Sequence, residues 1–198
     1  MLNLSRRSVL LSVLSLPLAH PLLAAMQPYK LDARKSSVGF YFNLSGTNQK
    51  GTMPVRSAQI RIDPADLTRS TVDVSVDVTR AKTNFVFARN AMLGAEVLDA
   101  KQFPTIRFVS TRVQLGKSGR ISDGARIAGD LTVRGVTLPI TLDADLYRRR
   151  GSASADLSTL DIRLRGQISR NSFGASGYKE LVKDTITLDI RAKIQQGK

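Results

Sequence analysis

Cysteine and tryptophan are absent from this 198-residue chain, and histidine occurs once, at His20. Each absence removes chemistry. Without cysteine there is no disulfide, no thiolate metal site and no cysteine nucleophile. It does not fix a compartment, because exported proteins need not carry disulfides. His20 falls in a segment read below as a leader, so the remaining chain offers no Ser-His-Asp or Cys-His arrangement and no His or Cys metal site. No Asp/Glu group has oxygen-ligand spacing, and no glycine pattern matches a phosphate-binding or dinucleotide-binding turn. Aromatic residues are only 6% of the chain and mostly Phe. These gaps predict no catalytic residue, no metal and no required cofactor, hence a protein that is not an enzyme.

What is present is alternation. Val72-Asp73-Val74-Ser75-Val76-Asp77-Val78 and Ile186-Thr187-Leu188-Asp189-Ile190-Arg191-Ala192 switch between apolar and polar at every step. A strand turns successive side chains to opposite faces, so each segment has one apolar face and one wet face. Repeated without long helices, the pattern predicts an antiparallel sheet that closes on itself or packs on a second sheet.

The formal net charge is +14, and +12 without Arg6 and Arg7. Such a charge invites a nucleic-acid reading, yet many of the basic residues alternate with apolar ones, as Arg163 and Arg165 do, and no nucleic-acid partner is predicted. The one dense cluster, Arg148-Arg149-Arg150 before Gly151, fits a hairpin tip or a patch for anionic headgroups.

Residues 1–25 read as a cleaved export signal. Arg6 and Arg7 form the charged region, Ser8 to Leu16 a short apolar stretch, and Leu23-Ala24-Ala25 supplies small residues for a peptidase. The run is too short and interrupted to span a bilayer. Ser5-Arg6-Arg7-Ser8-Val9-Leu10-Leu11 resembles a twin-arginine signal; Val9 and Leu11 depart from that pattern, and the general secretory route stays open. The expected location is the periplasm, with one domain over residues 26–198.

Along that domain, Val38, Phe40, Phe42 and Leu44 share a face of a first strand, and Gly46 and Gly51 bracket a turn. Strands follow at Met53 to Ile62 and Thr71 to Thr79. The period then changes: Phe85, Ala88 and Met92 suit a short helix ending near Gly94, with Asn84 as candidate N-cap. Further strands run from Thr105 to Leu115, Ala125 to Val133, Val136 to Ala144, Leu160 to Ile168 and Asp184 to Ile194. Arg134-Gly135 makes a tight hairpin, and Asn171 to Tyr178 a glycine-bearing loop. The fold class is therefore all-β: a closed antiparallel barrel of about eight strands with one short helix, large enough for packed side chains or one small ligand. Pro139 inside a central strand calls for a bulge or a strand end.

Four segments carry a resemblance: Tyr29-Lys30-Leu31-Asp32 with Val38-Gly39-Phe40; Gln102-Phe103-Pro104-Thr105; Gly129-Asp130-Leu131-Thr132-Val133-Arg134-Gly135 through Pro139-Ile140; and Ser169-Arg170-Asn171-Ser172-Phe173-Gly174. In this order they resemble the YceI-like family, the lipocalin-like polyisoprenoid-binding proteins of the bacterial envelope, from about Tyr29 to Ile194. The resemblance implies a lipocalin-like barrel enclosing the long tail of a quinone or polyprenyl phosphate. Two departures lie at the expected cavity mouth. Val86-Phe87 stand where more polar residues are common in the family, and Ala95 to Asp99 where a more aromatic stretch is usual.

The candidate ligand-binding residues are Phe40, Phe42, Phe85, Phe103, Phe108, Arg170, Asn171 and Phe173. The phenylalanines either line a tunnel or form ordinary core. Arg170 either meets a phosphate or quinone carbonyl or caps loop carbonyls, and Arg80 and Arg89 carry the same ambiguity. Gly129 and Gly166 mark a barrel corner or make room for ligand. Asp73, Asp77, Asp143 and Asp145 read as solvated sheet surface. The expected function is a periplasmic carrier of an apolar lipid tail. The rival is a basic structural or interaction protein of the envelope whose barrel is solid. Transient contact with an anionic membrane surface and a homodimer both stay open.

Overall fold

The computed structural model describes residues 26–153 and 155–197; the segment 1–25 expected as an export signal, with His20, lies outside them. Strands β1 (Gln27–Leu31) and β2 (Ser37–Leu44) follow one another along the last strand of the chain. Strands β3 (Thr47–Met53) and β4 (Val55–Ile62) form a second line, interrupted at Pro54. A third line is β5 (Thr71–Asp77) with the short β6 (Lys82–Thr83). Helix α1 (Val86–Leu93) precedes β7 (Thr105–Leu115), β8 (Ala125–Val133), β9 (Val136–Arg148), β10 (Thr159–Ser169) and β11 (Thr185–Gln196). All pairings are antiparallel, and β1 against β11 closes the sheet into an eight-line barrel. Closure removes the free edges that an open sheet would expose.

Irregularities keep the apolar residues facing inward. In β4 the register shifts between Val55 and Ser57, so Val55 and Ile60 both reach the interior despite their odd spacing. In β7 the shift between Ser110 and Arg112 re-phases the strand after Phe108. A bulge adds one residue and flips the faces beyond it, which a strict alternation cannot do.

Four local expectations are corrected. The first turn is Ser45-Gly46 alone, both at positive φ (49° and 87°). Gly51 sits inside β3 opposite Phe40, whose ring occupies the space a Cβ would need. The strand expected from Met53 to Ile62 runs from Val55 to Ile62, and Met53 instead ends a strand that the sequence pattern does not predict, Thr47–Met53. The helix begins one residue late: Phe85 is its N-cap, with no side-chain capping bond, so Asn84 does not cap it. Pro139 is neither at a bulge nor at a strand end. It pairs with Asp130 of β8, but β9 is laddered to β10 only from Asp143 onward. The flank that a proline cannot supply with an N–H has no ladder to lose.

The outer face is polar and cross-paired. Arg107 meets Asp73 through two bonds of 2.9 and 2.6 Å; Arg165 reaches Asp145 at 2.7 Å, Arg163 reaches Asp189 at 3.0 Å and Arg126 reaches Asp143 at 3.4 Å. Asp77 instead accepts from the backbone and hydroxyl of Thr79. These four strand arginines thus face carboxylates on neighbouring strands.

Candidate functional site

The inward faces of the strands enclose a cavity of about 560 Å³ whose walls are almost wholly apolar. Alternation places Val38, Phe40, Phe42 and Leu44 of β2 on it, with Ile186, Leu188, Ile190, Ala192 and Ile194 of β11 alongside. Side chains from β4, β5, β7, β8, β9 and β10 complete the wall. The only polar side chains lining it, among the described residues, are Ser36, Arg170, Tyr178 and Arg191. The cavity size falls within the usual range for small-ligand sites, roughly 300–1,000 Å³.

One end of the barrel is plugged. Tyr29, Ile60, Ile62, Ile121, Leu160 and Ile194 form a buried cluster there, supported by Leu157. The Tyr29 hydroxyl donates to the Leu157 carbonyl at 2.8 Å. Burial, with Asp156 nearby, pushes the phenol above its ordinary value. The Arg148–Gly151 tip lies at this end, at the close of β9.

The other end carries the mouth. Helix α1 sends Ala88, Ala91 and Met92 into the cavity from above. The segment after β10 faces the helix, folded as a short 3-10 turn (Asn171–Phe173) and a loop to Val182. Two links tie these pieces together. The Gly177 amide donates to the Glu96 carbonyl at 2.8 Å, and Arg134 reaches the carbonyls of Val97 and Gly174 at 3.0 and 3.1 Å. Arg134 can do this because it stands, at φ 53°, in the two-residue turn between β8 and β9.

The expected site residues divide. Phe40, Phe42, Phe85, Phe108, Phe173 and Arg170 line the cavity. The Phe40 and Phe42 rings stack at 6.2 Å. The Phe108 ring lies over Gly129, and Leu142 approaches Gly166, so the space at both glycines is filled by neighbouring side chains. Phe103 packs against Gly135 at the hairpin, away from the lining. Asn171 is exposed; its amide donates to the Asp184 carboxylate at 2.9 Å.

Arg170 is 5% exposed, and its guanidinium is spent on the carbonyls of Ala175 (2.5 Å), Val182 (3.1 Å) and Lys183 (3.3 Å). Of its two readings, the geometry is that of a loop cap. Arg89 likewise bonds the carbonyls of Ala81 and Thr79. Asp184 holds the loop from the other side: bonds from the Asn171 amide and the Ser169 hydroxyl, with Arg170 close by, lower its carboxyl below the ordinary range. Sequence reasoning missed Tyr178 and Leu181 and set Phe87 at the mouth without counting it as a site residue; the three border the opening and are 47%, 51% and 89% exposed. The signal available was large apolar residues lying outside any alternating strand.

A closed antiparallel barrel with an apolar interior and a helix across one end defines the class: a lipocalin-like binding fold. The chain matches the YceI-like domain over residues 29–194 and belongs to that family. A UPF0312 protein of Vibrio cholerae is 30% identical over 180 residues, covering 87% of this chain and 90% of that protein. One from Vibrio vulnificus is 29% identical over 71% of this chain and 74% of its own length. Among solved structures, BcnA of Burkholderia cenocepacia superposes with a TM-score of 0.71 at 19% identity, over 83% of this chain and 99% of that one. A polyisoprenoid binding domain from Saccharophagus degradans gives 0.63 at 11% identity, over 86% and 99%. These two likenesses establish the fold.

Proposed function

We propose that this protein binds, without chemical change, one long apolar tail inside its barrel, and that the natural tail is an isoprenoid such as that of a quinone or polyprenyl phosphate. The observation that carries the reading is the cavity of about 560 Å³ with its almost wholly apolar wall. Such a wall offers water few hydrogen-bond partners and favours an apolar guest. Each CH₂ withdrawn from water contributes about 0.8 kcal/mol, offset in part by the ordering of a flexible chain. The polyisoprenoid-binding neighbour supports the choice of tail. The rival solid barrel leaves this cavity without a role.

The binding reading is also supported by the lining chemistry. The polar side chains of the lining, Ser36, Arg170, Tyr178 and Arg191, are joined there by no carboxylate, histidine or cysteine among the described residues. The cross-strand ion pairs of the wall argue against a polyanion track. We place the protein in the periplasm, with residues 1–25 as its export signal. The export reading rests on the charged, apolar and small-residue stretches of residues 1–25 and is tested by the location and first residue of the mature protein. Replacing Arg6 and Arg7 with Lys tests the twin-arginine route, and unchanged export would leave the general secretory one.

Native mass spectrometry of freshly purified protein tests the tail. A co-purifying apolar mass, or uptake of added polyprenyl quinone, is expected. Phe108→Trp should then shift preference toward shorter tails, since its ring projects into the cavity. Apo-protein that ignores quinones of every length would return the field to the solid-barrel rival.

A further inference from the structure

The mouth is an exposed apolar rim. Phe85, Phe87, Tyr178 and Leu181 line the cavity and are at the same time about half exposed or more, and Val86, 71% exposed, extends the patch along α1 without touching the cavity. Isolated exposed hydrophobes are ordinary, but a contiguous patch marks an interaction surface. Beside it stand Arg80, Lys82, Lys179 and Lys183, all exposed. Among the described residues none of the four lies in an ion pair, whereas Arg107, Arg126, Arg163 and Arg165 of the barrel wall are paired. Glu96, Asp99, Glu180 and Asp184 are the acidic side chains of the same loops, and the Asp184 carboxylate is taken up by the Asn171 backbone amide and the Ser169 hydroxyl. Next to the rim, a shallow groove is lined by Asn43, Asn48, Lys183, Thr185 and Thr187, which present amides, hydroxyls and an ammonium but no carboxylate.

From this we infer that the α1 end is a docking surface for an anionic phospholipid bilayer, with Phe87, Val86 and Leu181 entering the interface and Arg80, Lys82, Lys179 and Lys183 meeting lipid phosphates. The inference rests on the apolar-tail reading and deepens it by naming where the tail comes from. Apolar side chains with flanking cations are the chemistry of interfacial binding. The same residues border the cavity, so docking removes water from the opening and gives a tail an apolar path out of the bilayer. A second copy fits less well, because joining two mouths would set these cations against their own counterparts. The Arg148-Arg149-Arg150 tip lies at the plugged end; binding through it would turn the mouth away from the membrane.

Cosedimentation of the purified protein with vesicles tests this. Vesicles of phosphatidylcholine with about one-third phosphatidylglycerol should retain the protein, and phosphatidylcholine alone should retain far less. Each cation near the surface contributes roughly a five-fold effect, so R80E/K82E should weaken binding at least tenfold. Val86→Ser and Phe87→Ser should each weaken it several-fold. Val86, Arg80 and Lys82 lie outside the cavity lining, so V86S and R80E/K82E should take up a quinone from solution as the parent protein does. Solution uptake without any retention by anionic vesicles would overturn the docking proposal and leave the tail reading standing; absence of uptake would sink the tail reading itself. Retention unaffected by the rim variants but lost on replacing Arg148, Arg149 and Arg150 with Ser would assign docking to the wrong end. A halved molar mass for Phe87→Ser in sedimentation would give the rim to a second copy.

Discussion

At one end of the barrel Tyr29, Ile121 and Leu160 are buried against one another; at the other Phe85, Phe87 and Leu181 stand in solvent. The same alternating strands supply both ends, so periodicity does not explain the difference. Loop content does. At the plugged end, Ile121 from a 3-10 turn and Leu157 fold back over the strand ends. At the mouth, the apolar residues sit on α1 and on a loop held by backbone carbonyls, above a space that the strand residues do not fill. A barrel needs one packed layer for its stability; the second end is then free to differ.

The sharpest way to break the comparison is to truncate one apolar side chain in each region. Leu160 is 1% exposed in the plug, and Leu160→Ala should cost about 3–5 kcal/mol by urea denaturation, because the packed cluster leaves a void. Phe108 lines the cavity, with its ring over Gly129, and is only partly buried. Phe108→Ala should therefore lose well under the roughly 3–5 kcal/mol usual for a packed Phe. Equal losses would mean that the two regions are packed alike and that the cavity is not a tolerant space.

Arg170 offers a local version of the same question. Its three carbonyl partners define the mouth loop, and Arg170→Met would leave them buried without a donor. The expected cost is about 2–3 kcal/mol. Hydrogen exchange should rise in residues 170–184 and 94–97 while the Tyr29–Leu160 cluster keeps its protection. Uniform loss of protection would show that mouth and plug unfold as one unit.

The strands were legible because alternation is local. The reading of Thr105 to Leu115 and of Ala125 to Val133 needed nothing beyond the order of residues, and these are β7 and β8 to the residue. What was not legible depends on partners distant in the chain. Gly51 resembles a turn residue until Phe40 is seen lying over it. Pro139 looks misplaced until β10 is found to ladder with β9 only from Asp143 onward. Phe40, Phe42 and Phe108 follow from face alternation, whereas Phe85 and Phe173 reach the lining from the helix N-cap and a 3-10 turn, and Phe103, next to a strand, packs outside the lining. Arg170 carried two readings because an arginine suits carbonyls and phosphates equally; only burial against three carbonyls separates them.

The smallest expected effect concerns Tyr29, and it sharpens the comparison through pH. The phenol is buried in the plug, donates to Leu157 and is raised above its ordinary value, first by burial and then by Asp156. A group whose folded-state value is raised contributes stability that is fully present below the unfolded value, about 10 for tyrosine, and lost as pH rises through the folded one. Tyr29→Phe removes one hydrogen bond and should cost about 1 kcal/mol at pH 7. That disadvantage should shrink as pH passes 10, because the parent protein then loses a contribution that the variant never had. Comparing the two proteins cancels the titration of every other lysine and tyrosine. A constant gap between Tyr29→Phe and the parent from pH 7 to pH 11 would show that the plug admits water to the phenol, and that the two ends differ less in packing than in shape.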